Sequence, residues 1–239
     1  MTNQLEGQTV VVLGGTSGIG LETARRAHEA GAEVILTARD PERLHQVGQE
    51  LSASIAAFDL GDASRLSRFF ENLPRQVDHV LVSGAGPQYA SLAKLDPAPI
   101  QPGVERIVLS VQVARLAKGA VRRGGSLIFI GGTGGRRPAA APLVSAVTAA
   151  MPALARSLAR ELAPIRVNVI APGFVDTPLS AAILGDDLEA RRDQLRDTLP
   201  IGRVIGPAEI ADLAVYLMTN TAVTGATFDI DGGQQLIET

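Results

Sequence analysis

Seven short apolar segments alternate with helical segments along almost the whole chain, and this alternation is the strongest constraint on its fold. The segments are rich in β-branched residues and are apolar at successive positions instead of at every second one. That pattern is typical of parallel strands buried under helices on both faces. A doubly wound parallel α/β sheet of seven strands, in one domain spanning residues 1–239, is therefore predicted. The predicted strands are Thr9–Leu13, Glu33–Thr37, Ser54–Phe58, His79–Val82, Ser126–Ile130, Arg166–Ile170 and Thr227–Ile230.

Two irregular segments are expected to form the walls of a ligand pocket. Gly84–Gly103 is rich in Gly, Pro and Ala, and Pro172–Pro200 begins with Pro-Gly and carries a charged helical piece. Open α/β sheets bind ligands beyond the carboxyl ends of their strands, where both segments begin. Residues 172–200 are the expected substrate lid, and the apolar residues after Leu179 favour an apolar substrate. The predicted helices are Leu21–Ala30, Pro41–Leu51, Ala63–Asn72, Val104–Arg122, Ala149–Ala163, Asp186–Asp197 and Pro207–Met218.

The composition excludes several classes of function. The 239 residues carry 22 basic and 25 acidic side chains, a net charge of −3, so no basic excess is available to neutralise nucleic-acid phosphates. The absence of cysteine excludes disulfides, thiolate metal sites and cysteine nucleophiles, and the three histidines are too scattered for a metal centre. The chain begins with polar residues, and no apolar run approaches the roughly 20 residues that span a bilayer. A soluble cytoplasmic protein is expected.

A glycine-rich turn joins the first predicted strand to the first helix. It consists of Gly14, Gly15, Thr16, Ser17, Gly18, Ile19 and Gly20. Gly14 permits a tight turn, Gly18 lets the backbone approach a pyrophosphate, and Gly20 allows close packing of helix and strand. The amides at the start of the helix would then face the phosphates, an arrangement that the helix dipole favours. The turn therefore indicates a dinucleotide-binding site.

The motifs of the chain resemble those of the short-chain dehydrogenase/reductase family. The glycine spacing Gly-x-x-x-Gly-x-Gly is similar to the family's own, and the resemblance extends over nearly the whole chain to Asp231-Gly232-Gly233. It implies a Rossmann fold, a nicotinamide cofactor, and a homo-oligomer that is a dimer or a tetramer. The segment Pro207–Gly233 resembles the surface through which members of the family assemble. It also implies that Thr177 meets the nicotinamide carboxamide. The further cofactor-binding positions that it implies are Asp59, Leu60, Ser83, Gly84, Pro172, Gly173 and Val175.

The end of the second predicted strand favours NADP(H) over NAD(H). In relatives that prefer NAD, an acidic residue at this position binds the ribose 2′-hydroxyl, and in this chain the position is occupied by Ala38. Arg39 follows, and its guanidinium would pair with a 2′-phosphate through charge-assisted hydrogen bonds. Asp40 is the rival candidate for the ribose. However, Asp40 precedes Pro41 and Glu42, a pattern typical of a helix start in which aspartate is the N-cap.

The catalytic pattern of the family is missing. The resemblance implies a tyrosine acid whose pKa is lowered by a lysine four residues later, together with a serine that holds the carbonyl oxygen. The chain has two tyrosines, Tyr89 and Tyr216, and neither has a lysine four residues on. The tyrosine and lysine places fall on Val144 and Thr148, and the serine place falls near Gly131–Thr133, most simply on Gly132. Because general acid–base catalysis is typically worth 10²–10⁴-fold, the family's ordinary mechanism is expected to fail.

Substitutes for the missing acid are Tyr89, Ser145 and Thr148. Tyr89 is either a displaced acid or an aromatic lid residue. Ser145 and Thr148 either face the nicotinamide ribose or form a polar patch near a helix start. Arg136 and Arg137 either attract an anionic group of the substrate or form a solvated loop.

Three functions remain open. The chain is an NADP(H)-dependent oxidoreductase acting on a small molecule through an atypical site, a non-catalytic NADP(H)-binding sensor or regulatory subunit, or an inactive partner in a hetero-oligomer. The intact cofactor-binding half of the motif set favours the oxidoreductase.

Overall fold

Seven parallel strands form one sheet in the computed structural model, which describes residues 3–73, 76–84, 100–136 and 141–237, with backbone alone for 100–103. The strands are β1 (Thr9–Leu13), β2 (Glu33–Ala38), β3 (Ser54–Ala57), β4 (Val77–Val82), β5 (Val121–Ile130), β6 (Arg166–Pro172) and β7 (Thr227–Ile230). Their order in the sheet is β3-β2-β1-β4-β5-β6-β7, and every neighbouring pair is parallel. The connection therefore reverses direction between β1 and β4, which makes the carboxyl ends of these two strands the switch point of the sheet.

Helices cover both faces of this sheet, as the apolar runs predict. The helices are α1 (Gly18–Glu29), α2 (Pro41–Glu50), α3 (Ala63–Glu71), α4 (Ile100–Ala120), α5 (Pro142–Glu161), α6 (Pro178–Leu184), α7 (Leu188–Thr198) and α8 (Pro207–Thr219). Val11 and Leu13 of β1 belong to a core that includes residues of α3, α4 and α5, whereas Val10 and Val12 belong to a second core with residues of α1, α2 and α8. Because successive side chains of a strand point to opposite faces, a strand between two cores must be apolar on both faces.

Several predicted boundaries are wrong; β5, for example, begins at Val121 instead of Ser126, and α4 begins at Ile100 instead of Val104. Helix α5 begins at Pro142 instead of Ala149 and continues through Pro152. A proline is well suited to the first position of a helix, and the buried side chains of the added turns hold them against the protein interior. Helix α4 ends at Ala120, and Arg122, predicted as helical, lies in β5. Its Nε donates to the Asp78 carboxylate of β4, which ties the start of β5 to its neighbour.

Helix α5 also corrects the expectation that no apolar run is long enough to cross a membrane. Among the helices within the described ranges, it is the one whose length and composition would suffice. In the fold, Met151, Ala155 and Leu158 of this helix are buried in the core that covers one face of the sheet. A third of this apolar stretch is buried inside the structure.

A buried histidine lies at the amino end of β4. The imidazole of His79 is 1% exposed; its Nδ1 is 2.8 Å from the Ser126 hydroxyl and its Nε2 is 2.8 Å from the Gln8 Oε1. Burial lowers the pKa of His79 to about 4, and two nearby arginines act in the same direction against the neighbouring Asp78. His79 is thus a neutral, hydrogen-bonded core residue.

A buried arginine joins β6 to the end of α8. The Nη1 of Arg166 donates to the carbonyl of Leu217 at 2.6 Å, and its Nη2 donates to the carbonyl of Met218 at 2.8 Å. Both carbonyls belong to the last turn of α8, where the helix dipole favours a positive charge. His79 and Arg166, near the amino ends of their strands, therefore form hydrogen bonds within the fold. The candidate site lies at the opposite edge of the sheet, where the strands have their carboxyl ends.

Candidate functional site

The glycine turn has a backbone that only glycine adopts easily. Gly14 has φ +91° and Gly18 has φ +51°, and the amides of Gly14 and Gly15 both donate to the Thr37 carbonyl of β2 at 3.0 Å. A methyl group on Gly14 would lie 2.7 Å from the nitrogen of Gly84, and one on Gly20 would lie 2.0 Å from the carbonyl oxygen of Gly14. The turn therefore packs against its neighbours as closely as only glycine allows, at the amino end of α1, where helix amides can face a pyrophosphate.

The segments after β3 and β4 meet at this turn. The amides of Ser83 and Gly84 both donate to the Leu13 carbonyl at 2.9 Å, and a methyl group on Gly84 would lie 2.4 Å from the Leu60 Cδ1. Asp59 is exposed, and its Oδ1 accepts from the amide two residues later at 2.9 Å. The structure thus brings Asp59, Leu60, Ser83 and Gly84 together at the switch point of the sheet.

The residues after β2 begin helix α2. The Oδ1 of Asp40 accepts from the amides of Glu42 and Arg43 at 3.0 and 3.2 Å, which confirms Asp40 as the N-cap of α2. Arg39 is exposed and forms no ion pair with the residues that the structure describes. The Nε of Arg43 donates to the carbonyl of Thr16 in the glycine turn at 2.9 Å. The Arg43 guanidinium therefore contacts the turn where β2 ends.

The segment after β6 closes over the turn from the other side. Pro172 and Gly173 lie at the carboxyl end of β6, where a methyl group on Gly173 would lie 2.5 Å from the Gln234 Oε1. Val175 is buried, and Thr177 is the N-cap of α6. The methyl carbon Cγ2 of Thr177 lies 3.3 Å from the position that a methyl group on Gly18 would occupy. Thr177, the residue predicted to bind the nicotinamide carboxamide, therefore lies against the glycine turn.

The expected lid, residues 172–200, carries α6 and α7. Helix α6 has no buried residue, and its Leu179 and Ile183 are 47% and 42% exposed. Helix α7 is held to the segment after β6 by Arg192, whose Nη2 lies 2.6 Å from the Asp176 carboxylate. The lid thus presents an apolar helix beside Thr177, and an ion pair within the lid holds α7 to the segment after β6.

The hydroxyl groups near the start of α5 are directed into the protein. Val144 and Thr148 are buried, and the Oγ1 of Thr148 donates to the carbonyl of Val144 at 2.7 Å. The Ser145 Oγ is buried and has no hydrogen-bond partner among the residues that the structure describes. Thr148 therefore commits its proton to its own helix.

A glycine-rich segment after β5 lies directly on this part of α5. A methyl group on Gly132 would be 3.3 Å from the Thr148 Cγ2, one on Gly134 would be 3.5 Å from the Val144 Cγ1, and one on Gly135 would be 2.6 Å from the Ser145 carbonyl oxygen. The segment residues 131–135 can approach α5 so closely because it lacks side chains at these positions. It covers the places at which the family's tyrosine and lysine are missing.

Arg136 ends this segment in an ion pair. Its Nη2 lies 2.7 Å from the Asp229 Oδ1, and its Nε lies 3.3 Å from the Oδ2 of the same carboxylate on β7. The two side chains remain 31% and 37% exposed, so this contact leaves both alternatives for Arg136 open, an anchor for a substrate anion and a solvated loop residue. Tyr89 and Arg137, the other candidates nearby, lie outside the described residues.

Proteins of known sequence and structure share these features. A family model described as enoyl-(acyl carrier protein) reductase matches residues 14–235. The chain is 29% identical over 253 residues to the short-chain dehydrogenase/reductase malC of Malbranchea aurantiaca, with 97% of this chain and 96% of malC covered. The chain belongs to the short-chain dehydrogenase/reductase family. Galactitol 2-dehydrogenase (L-tagatose-forming) of Cereibacter sphaeroides is 32% identical to it over 258 residues, with 96% of each chain covered.

Solved structures of other short-chain dehydrogenase/reductases have the same fold as this one. The MalC reductase/Diels-Alderase of Malbranchea aurantiaca superposes with a TM-score of 0.88 at 29% identity and covers 98% of both chains. BdcA in complex with NADPH superposes with a TM-score of 0.88 at 27% identity, covering 99% of this chain and 98% of BdcA. Members of the family use nicotinamide cofactors. The glycine turn lies at the amino end of α1, where backbone amides can bind the phosphates of a nicotinamide dinucleotide.

Two arginines of this short-chain dehydrogenase/reductase escape sequence reasoning. Arg43 contacts the glycine turn, and Arg106 of α4 donates from Nη1 to the Ile130 carbonyl, 2.5 Å away, at the carboxyl end of β5. The sequence gives one signal for Arg43. The helix dipole disfavours a positive charge in the first turn of a helix, so an arginine at this position can indicate a role in binding. No spacing rule points to Arg106, since its partner is a backbone carbonyl on a distant strand.

Proposed function

We propose that this protein is an NADP(H)-dependent oxidoreductase with an atypical active site, acting in the cytoplasm on a carbonyl, alcohol or related group of a small apolar molecule. The observation that carries the proposal is the division of roles after β2. Asp40 is engaged as the N-cap of α2, and Arg39 is left exposed beside the glycine turn. An acidic residue at this place selects the 2′-hydroxyl of NAD, whereas an arginine suits the 2′-phosphate of NADP.

The residues of the site bind and orient the cofactor. The glycine turn receives the pyrophosphate, Arg39 pairs with the 2′-phosphate, and Thr177 holds the carboxamide from the segment after β6. When bound, NADPH supplies a hydride to the substrate. Leu179 and Ile183 on α6 form an apolar wall that excludes water from the reacting group.

The proton that completes the reduction has an unusual source in this proposal. Valine has no proton to donate at position 144, and the Thr148 hydroxyl is committed to the Val144 carbonyl. Water, the substrate itself or a displaced side chain such as Tyr89 supplies the proton instead. Hydride transfer by proximity survives under these conditions, and it is slower than catalysis by a positioned acid.

The protein is further proposed to be a homo-oligomer, a dimer or a tetramer. Val104, Val108 and Val111 lie along one side of α4 and are 42%, 49% and 46% exposed. A row of half-exposed valines at this helical spacing is an apolar surface suited to a second copy of the chain.

Titration with NADPH and NADH, followed by the fluorescence of the reduced nicotinamide, tests the proposal. We expect Arg39→Gln to raise the Kd for NADPH at least about tenfold and to change the Kd for NADH less than about twofold, because charge-assisted hydrogen bonds to the 2′-phosphate are lost. Equal losses for both cofactors would refute the role of Arg39.

Turnover then decides between the oxidoreductase and a sensor. Wild-type protein with NADPH is offered a panel of apolar ketones, aldehydes and imines, and the loss of absorbance of the reduced nicotinamide is followed. Oxidation of NADPH with a matching amount of reduced product supports the enzyme. Tight NADPH binding without product from any member of the panel would favour the non-catalytic sensor.

A further inference from the structure

A cavity of about 310 Å³ opens at the amino edge of the sheet, the edge opposite the glycine turn. The start of β5, the start of β6 and the end of α8 form its walls, together with the segment before β1. Its size is at the lower end of the range of pockets that hold small molecules. Among the described residues that line it, two are arginines, Arg122 and Arg166, and none is acidic.

Arg166 carries a buried positive charge that the fold compensates only in part. Three of its five N–H groups donate to the carbonyls of Leu217, Met218 and Val223, at 2.6, 2.8 and 3.3 Å. The end of a helix such as α8 offers roughly half an elementary negative charge. Arg166 is 5% exposed and forms no ion pair with the described residues, and its Nε is buried without a hydrogen-bond partner among them. Part of a buried charge therefore lies at the wall of the cavity without a counter-charge.

A second positive charge lies at the same cavity. The Nε of Arg122 donates to the Asp78 carboxylate, and its Nη1 donates to the Arg123 carbonyl at 3.4 Å. The Arg122 Nη2 has no partner among the described residues, and the side chain is 46% exposed. Burial lowers the pKa of Arg166, and the charge of Arg122 acts in the same direction. The two guanidinium groups therefore repel each other, and the one carboxylate that pairs with either of them in the described ranges is that of Asp78.

A hydroxyl group completes the donors at the exposed side of the cavity. Thr221 follows α8, lines the cavity and is exposed to solvent. Its side chain forms no hydrogen bond with the described residues. The cavity therefore combines two cations, a free N–H group of Arg122 and a hydroxyl group.

We propose that this cavity binds a small oxyanion of the phosphate or dicarboxylate class beside Arg122 and Arg166. Arginine suits such ligands because its planar fork matches the spacing of their oxygens. The Arg122 Nη2 and the Thr221 hydroxyl donate to the anion, and Arg166 attracts it from the buried wall. A bound anion removes the repulsion between the two guanidinium groups and links the starts of β5 and β6 to the end of α8. The site lies apart from the glycine turn, so it does not depend on the use of NADP(H).

Thermal melting of the full chain in inorganic phosphate and in malonate tests the site, with chloride keeping the ionic strength constant. Thr221→Glu adds a negative charge at the cavity, and Thr221→Gln is the neutral control of the same size. We expect the Kd obtained from the rise of Tm with anion concentration to be at least about tenfold higher in Thr221→Glu than in Thr221→Gln. General stabilisation by excluded anions, and binding at the distant glycine turn, affect both variants alike and cancel in this comparison.

A second pair of variants removes charge at the start of β5. Arg122 lines the cavity, whereas Arg123 is its exposed neighbour and does not. We expect Arg122→Gln to raise the Kd about tenfold, since hydrogen bonds to a charged group are lost, and Arg123→Gln to change it less than about twofold. Circular dichroism verifies the fold, because Arg122 also holds Asp78. Thr221 does not contact that ion pair, so the first pair of variants decides even if Arg122→Gln lowers stability.

The two anions identify the ligand class. Tighter binding of phosphate indicates a phosphoryl ligand and tighter binding of malonate a dicarboxylate, and either result supports the site. An equal response of Thr221→Glu and Thr221→Gln to both anions would overturn the proposal, because binding would then occur elsewhere. A wild-type protein that neither anion stabilises beyond chloride would overturn it as well.

Discussion

Single buried side chains link the stability of this protein to pH, and His79 is the clearest case. Burial lowers the pKa of His79 to about 4, with Arg122 and Arg166 acting in the same direction and Asp78 opposing them. In the unfolded chain the pKa returns to about 6.5. Between these values the unfolded state binds a proton that the folded state does not, so the free energy of unfolding falls as the pH falls from about 6.5 to 4.

The contribution of His79 can be measured by urea unfolding at two pH values. From pH 7.5 to pH 5.0 the histidine alone should remove about 2 kcal/mol from the free energy of unfolding. We expect His79→Gln to lose about that much less than the wild type over the same interval. A general loss of stability in the variant cancels in this difference, and identical pH dependence in the two proteins would contradict the assignment.

The residues of the site differ in how far the sequence reveals them. The roles of Gly14, Gly18 and Asp40 follow from local rules, because a positive φ or a helix cap leaves its mark on the residues themselves. The contact of Arg43 with Thr16 depends on how α2 is placed against the turn. That placement is set by packing over the whole sheet, and no local pattern encodes it.

At the scale of helices and strands, the two aspartate caps offer a paired test. Asp40 caps α2 and Asp62 caps α3 with the same geometry, each accepting from two amides of the first turn. We expect Asp40→Ala and Asp62→Ala each to lower the free energy of unfolding by about 1 kcal/mol, since two amides lose their acceptor. Chemical denaturation measures this loss.

Cofactor binding by the same variants separates the cap from a ribose ligand. Asp40→Ala should leave the Kd for NADH within about twofold of the wild-type value, as Asp62→Ala does. A selective loss of NADH binding in Asp40→Ala would show that this carboxylate is the ribose ligand, and the assignment of NADP(H) would then be wrong.

Sequence patterns predict the existence of the elements better than their ends. β1 and β7 have the predicted bounds, because apolar runs between polar turns define them. Helix α5 begins seven residues before its predicted start, and its buried Val147 and Met151 hold the turns before Pro152 against the protein interior. The strand character of Arg122 depends on its contact with Asp78 and is not visible in the local sequence.

At the scale of the whole molecule, the exposed valines of α4 predict self-association. We expect Val108→Asp to shift the mass in sedimentation equilibrium towards that of the monomer, because a charge would be buried at the interface. In a two-fold symmetric contact, each subunit would bury one such charge. Ile183→Asp places the same charge at a similarly exposed apolar residue of the lid and should leave the mass unchanged. A wild-type protein that sediments as a monomer would refute the proposed oligomer.

The close packing of residues 131–135 on α5 limits the side chains that positions 144 and 148 can carry. A tyrosine at position 144 or a lysine at position 148 would extend into a region where both present side chains are buried beneath glycine backbone. We expect either substitution by itself to lower the free energy of unfolding, because a larger side chain overpacks a filled site. An acid engineered at this place would therefore need a second change that lifts residues 131–135 away from α5.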